Sequence, residues 1–94
     1  MVIEVVDNAA KHRFETTVDG LLCVLEYRID GRSLVLVHTE VPDALSGHGI
    51  ASALAKFALD SARERGMDVV VKCAYVAAWI KRHPAYADLV RAGP

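Results

Sequence analysis

The chain has 94 residues, 53% of them hydrophobic and 24% charged, with a formal net charge of −1. That length supports one core rather than two, and the composition suits a folded chain rather than a disordered one. Near-neutrality excludes a strong overall field for nucleic acid or anionic membrane, so any anion site must be local. No apolar run nears the ~20 residues that span a bilayer. The first six residues carry an acid, Glu4, and no cationic leader. Cys23 and Cys73 have no metal-ligand spacing. The expectation is a cytoplasmic protein with reduced thiols and no metal.

In chain order, Val2–Val6 reads as a first strand. Three longer β-rich runs follow, about Arg13–Val18, Leu21–Ile29 and Arg32–Val41, joined at Asp19-Gly20 and Asp30-Gly31. Asp-Gly between β-rich runs is a strong hairpin signal. If both pairs are two-residue loops, Phe14 faces Leu25 and Leu25 faces Leu36. Arg13 then faces Glu26, Cys23 faces His38, and Leu21 faces Glu40. One sheet face would run from an apolar ladder into a polar end made by His38 and Glu40.

Pro42 stops the strand because it has no N–H for a ladder. After the loop Asp43–His48 the period becomes helical. Ile50, Leu54, Phe57, Ala58 and Ala62 fall on one face, and Gly66 supplies the stop. Asp68–Cys73 reads as a buried strand around Val69-Val70-Val71. A helix between two strands implies a right-handed crossover and parallel pairing. A second helix, about Tyr75–Arg82, ends before Pro84. The tail Tyr86–Val90 is expected to pack back on the domain, with the last residues frayed. The fold class is α/β (α+β): an antiparallel β-meander leading into a β-α-β unit and a C-terminal helix, in one domain.

The segment with most chemical content is Val41–Ala51. It is a strand, a turn containing Gly47 and Gly49, and a helix start. Unbonded N–H groups at a helix start carry partial positive charge and bind phosphate without basic side chains. The glycines remove Cβ atoms that would hold a phosphate off the backbone. By itself the pattern also suits a tight loop with no ligand. No Gly-Lys-Ser/Thr follows, so it is not a P-loop, and the third glycine of a dinucleotide fingerprint is missing.

Taken together, the meander, the Gly-x-Gly turn, the amphipathic helix, the short strand and the last helix resemble the GCN5-related N-acetyltransferase (GNAT) superfamily. The likeness is to its small YjdJ-type subfamily, carried by His38-Thr39-Glu40-Val41-Pro42, Gly47-His48-Gly49-Ile50-Ala51, Cys73-Ala74-Tyr75-Val76 and Arg82-His83-Pro84-Ala85-Tyr86. It spans about Arg13 to Val90. Ala44 departs from the Gln or Arg of the general motif, and Ser46 from a common basic residue. The chain has no room for the two helices that follow the first strand in larger relatives, which implies a more open acceptor cleft.

The resemblance implies acetyl-CoA as co-substrate and an amine, on a protein or small molecule, as acceptor. It implies that the parallel strands splay so that the pantetheine arm inserts beside Glu40 and Val41. Val41, Ser46, Gly47, His48, Gly49, Ile50, Ala51 and Arg82 are the expected cofactor contacts. His38 and Glu40, two residues apart and roughly 7 Å between Cβ atoms, are the candidate bases, or else a polar pair that only finishes the sheet. The glutamate base of larger relatives falls near Val35. Cys73, at a helix start that favours thiolate, is a candidate acetyl acceptor or a small buried hydrophobe. Tyr75 is the candidate donor to the departing thiolate, or a packing aromatic. Cys23, Phe57 and Trp79 read as core. The expected function is N-acetyl transfer to a primary amine by a monomer or weak homodimer. The alternatives are a non-catalytic coenzyme A binding module and a structural domain with an empty glycine turn.

Overall fold

A computed structural model describes residues 2–91. The elements are β1 (Val6–Asn8), β2 (Arg13–Val18), β3 (Leu21–Asp30), β4 (Ser33–Glu40), α1 (Ile50–Glu64), β5 (Asp68–Val71) and α2 (Ala74–Arg82). Short 3-10 turns at Ala9–Lys11, Asp43–Leu45 and Pro84–Leu89 complete them. The five strands form one sheet in sequence order, antiparallel from β1 to β4 and parallel between β4 and β5. The expected class and topology are those observed.

The two Asp-Gly pairs fold differently. Asp19 and Gly20 both have positive φ, 51° and 76°, as a mirror-image type I′ turn requires. This fixes Val18 opposite Leu21, Phe14 opposite Leu25 and Arg13 opposite Glu26, as expected. In the second hairpin Asp30 pairs with Ser33, so Gly31 (φ 59°) and Arg32 form the loop. The ladder slides by two residues, and Tyr27 rather than Leu25 faces Leu36. A slide of two keeps every side chain on its face.

A bulge then changes the faces. Tyr27 pairs with Leu36 but Glu26 pairs with His38, which leaves Val37 unpaired. The extra residue reverses the alternation beyond it. Leu25 now faces Thr39 and Val24 faces Glu40, so the expected Cys23–His38 and Leu21–Glu40 pairs do not form.

The first strand also differs from expectation. The Asn8 side chain accepts from the Lys11 amide, and this turn starts the ladder at Asn8–Arg13. It runs only to Val6–Glu15. Ile3 and Val5 pack against the core without strand pairing.

Both helices cover one sheet face. Ile50, Leu54, Ala55, Ala58, Leu59 and Ala62 of α1, with Val76, Trp79 and Ile80 of α2, bury against Phe14, Leu25, Tyr27, Leu34, Leu36 and Val69. Each large side chain so buried contributes roughly 1.5–3 kcal/mol. Cys23 is fully buried there, as expected. Phe57, also expected in the core, sits at its edge, 36% exposed and edge-on to Phe14. The opposite face carries cross-strand rows Arg13–Glu26–His38, Glu15–Val24–Glu40 and Arg28–Val35–Val70.

The tail packs back as expected. Leu89 is buried, Val90 bridges Val69, and the Arg91 amide donates to the Val69 carbonyl at 2.8 Å. The outer edge of β5 is thereby occupied rather than open. The expected fraying falls on residues 92–94, outside the described residues. Among the described residues no helix is long and apolar enough to cross a membrane.

Candidate functional site

The site begins where β4 and β5 part. Their last pair is Leu36–Val71, and the last bond across is from the Lys72 amide to the Leu36 carbonyl at 2.9 Å. Beyond it β4 continues to Glu40, whereas the chain after β5 turns at Cys73 into α2. The bulge at Val37 bends β4 away at this same point. The divergence implied by the family resemblance is therefore present, and it opens a gap at the C-terminal ends of the parallel strands. Open α/β sheets bind ligands at such strand ends.

The glycine turn lies beside this gap. The Leu45 amide donates to Pro42 and the Ser46 amide to Asp43, with Leu45 buried as a plug beneath. Gly47 (φ 81°) and Gly49 (φ 76°) both adopt the left-handed conformation, which side chains disfavour. The first helical bond of α1 runs from Ala53 to the Gly49 carbonyl. Among the described residues, the amides of Gly47, His48, Gly49, Ile50, Ala51 and Ser52 have no backbone acceptor. Ser46 differs from expectation: its amide is already bonded, and its hydroxyl is what remains to offer a ligand. A Cβ built at Gly47 or Gly49 would meet nothing within 4 Å. The turn thus presents unbonded amides at the positive end of α1 to open space, an arrangement that favours an anion.

A cavity of about 280 Å³ runs along this turn, lined by Val41, Ser46, Gly47, Gly49, Ala51 and Tyr75 among others. Tyr75 belongs to the first turn of α2, whose first intrahelical bond runs from Ala77 to Cys73. Two helix starts therefore converge on the gap. Ser52 also lines the cavity and accepts from the Trp79 indole N–H at 2.8 Å. The His48 side chain is exposed and is not among the cavity's lining; the backbone amide is what that residue offers. Arg82 does not line the cavity either. It ends α2, about 12 Å along the axis from Ala74.

Cys73 lies at the gap, 7% exposed, as a free thiol. Its Sγ is 3.2 Å from the Thr39 hydroxyl, across the interval where backbone pairing has ceased. Sequence reading missed Thr39, because only the bulge turns it to the helix side. His38 and Glu40 do share a face, with Nε2 and Oε2 3.9 Å apart. That face is the one without helices, and their side chains are 57% and 73% exposed. Glu40 borders a wider depression there, about 660 Å³, with Arg13, Glu26, Val41 and Pro42. Val41 lines both hollows, so they lie on opposite sides of one strand end. Among the described residues no group of three or more His, Cys, Asp or Glu is arranged to hold a metal.

A meander, a bulged strand diverging from its parallel neighbour, and a glycine turn opening a helix make up the N-acetyltransferase type of fold that the sequence resemblance implied. The family profile described as GCN5-related N-acetyl-transferase matches residues 13–89. The chain is 37% identical over 95 residues to Protein NATD1 of Mus musculus, covering 98% of this chain and 86% of that protein. The NATD1 of Homo sapiens is likewise 37% identical, with 98% and 84% covered. An NMR structure of a GCN5-like protein from Staphylococcus aureus superposes with a TM-score of 0.74 at 23% identity, covering 97% of this chain and 90% of that one. The protein belongs to the GCN5-related N-acetyltransferase family.

Proposed function

We propose that this protein is an acetyl-CoA-dependent N-acetyltransferase that moves acetyl from the thioester to a primary amine. The observation that carries the reading is the gap beyond Leu36 and Val71 lying directly beside the unbonded amides of the glycine turn. The amides of Gly47, His48, Gly49, Ile50 and Ala51 would hold the diphosphate. The Val41 end of β4, which no longer pairs with β5, would take the pantetheine arm. The carbonyl would then lie near Cys73 and Tyr75.

In direct transfer the neutral amine attacks the carbonyl carbon. A C–N bond forms, the C–S bond breaks, and the electron pair leaves on the coenzyme A sulfur. In this reading Tyr75 would return a proton to that thiolate, and Glu40 or His38 would take the proton the amine gives up. The amine would approach from the open face through the gap beside Val41. In the covalent variant the Cys73 thiolate attacks first, coenzyme A leaves as thiolate, and the amine then displaces Cys73 from the acetyl group.

A second reading, coenzyme A binding without transfer, is favoured by Ala44 in place of Gln or Arg and by the exposure of His38 and Glu40. Calorimetric titration with acetyl-CoA and a thiol-release assay with a panel of amines and lysine peptides separate the two. Heat with thiol release supports the enzyme. Heat without release from any amine leaves the binding module, and no heat removes both. Unchanged turnover in Cys73→Ala discards the covalent variant.

A further inference from the structure

Backbone pairing between β4 and β5 ends at Leu36–Val71 and the Lys72 amide, and Cys73 lies just beyond it. Among the described residues the Thr39 hydroxyl is the polar group that reaches its side chain, at 3.2 Å from Sγ. Its placement there is specific to this fold. Without the bulge at Val37, alternation along β4 would turn His38 and Glu40 to the helix side and Thr39 away. The bulge exchanges two ionisable side chains for one small hydroxyl at the position that meets the thiol.

A hydroxyl is suited to that position because it both donates and accepts. It accepts from S–H when the proton is present and donates to sulfur when the proton has gone. A hydrogen bond to an ionised acceptor is roughly twice as strong as one between neutral groups. Cys73 also closes the N-terminal end of α2, and its carbonyl takes that helix's first bond, so its backbone is fixed. What remains to be set is the direction of Sγ, and among the described residues Thr39 is the hydrogen-bonding partner that sets it.

We propose that Thr39 is a positioning residue for Cys73, holding its sulfur toward the gap and supporting its nucleophilic form. This rests on the reading of Cys73 as part of the transfer site, but it concerns the sulfur itself and can be tested without acetyl-CoA.

The test is the rate of modification of Cys73 by iodoacetamide in the folded protein, followed by mass spectrometry of the Cys73 peptide. Wild type, Thr39→Val, Thr39→Ser and Cys73→Ala are compared at one pH, with thermal midpoints measured alongside. Thr39→Val keeps the shape and removes the hydroxyl. It is expected to slow modification about tenfold, while Thr39→Ser stays within about twofold of wild type.

A merely structural bolt gives the opposite sign. If Thr39 only closes the gap, its removal uncovers Cys73 and modification becomes faster. A faster or unchanged rate in Thr39→Val overturns the proposal. So does a wild-type Cys73 that stays unmodified while free cysteine is consumed. Should Thr39→Val fail to fold, Thr39→Ala is read by the same criterion. Failure of acetyl transfer with a slowed Thr39→Val would count against the enzyme alone, since iodoacetamide needs no thioester.

Discussion

The Trp79 indole N–H donates to the Ser52 hydroxyl at 2.8 Å, tying the middle of α2 to the first turn of α1. Trp79 is almost fully buried, and its indole N–H can only donate. Ser52→Ala would leave that donor unpaired, a cost of about 1–3 kcal/mol. For a chain of this size the midpoint should fall by roughly 4–8 °C per kcal/mol. Thermal melts of Ser52→Ala against wild type test this. Ser61→Ala, on the same helix and with no side-chain bond among the described residues, should melt close to wild type.

Gly49 and Gly20 share a φ of 76°, and a Cβ at either meets nothing within 4 Å. Alanine at each position carries the same left-handed strain, about 1–2 kcal/mol. Only Gly49 lies in the proposed diphosphate turn. Gly49→Ala should weaken acetyl-CoA binding by about tenfold or more, whereas Gly20→Ala should lose similar stability and bind as wild type. Calorimetry on the pair separates strain from ligand contact. Equal affinities would remove the turn from the binding site.

Glu40 and His38 divide differently around the strand end. Glu40 borders the depression that shares Val41 with the glycine-turn cavity, and His38 does not. Glu40→Gln is therefore expected to lower kcat by about 100-fold, and His38→Ala by less than about tenfold. Steady-state kinetics with one accepted amine check the order. A larger loss in His38→Ala reverses the assignment.

Tyr27 supplies the pH dependence. Burial, then its hydrogen bond to the Asp7 carboxylate at 2.6 Å, push its pKa up to about 12 from an ordinary value of 10.0. The unfolded chain therefore gives up this proton at lower pH than the folded one. The stabilisation is whole below pH 10.0 and drains away as pH rises toward about 12. Urea midpoints taken across that interval should fall in wild type and fall less in Tyr27→Phe, with phenolate absorbance marking the titration.

Much of this architecture could be read from residue order, and the exceptions have local causes. Asp-Gly names a two-residue loop but not which residue opens it. At Asp19-Gly20 the pair is the loop, whereas at Asp30-Gly31 glycine takes the first loop position and Arg32 the second. Both are permitted by positive φ at glycine. Because the resulting slide was two residues, Leu34 and Leu36 stayed in the core where alternation had put them. The Val37 bulge has no residue signature: a valine among valines and leucines gives no sign that one residue goes unpaired. That is why alternation puts His38 and Glu40 on a common face but on the wrong side of the sheet, and why nothing in the sequence turns Thr39 toward the helices. The glycine turn was legible because its chemistry is in the backbone. Ser46 was the exception there, since its amide closes the turn at Asp43.

The sheet's sequential strand order has a kinetic corollary. The hairpins of β2, β3 and β4 join near neighbours in the chain, while β4 meets β5 only across a separation of 35 residues, at Ser33 and Asp68. Short-range pairings close with less loss of chain entropy and form sooner. The cleft exists only once α1 and β5 have docked, so its assembly belongs to the last stage of folding. By the same token, amides of β5 and the α2 start should exchange with solvent before those of β3, and ligand bound at the glycine turn should slow them first.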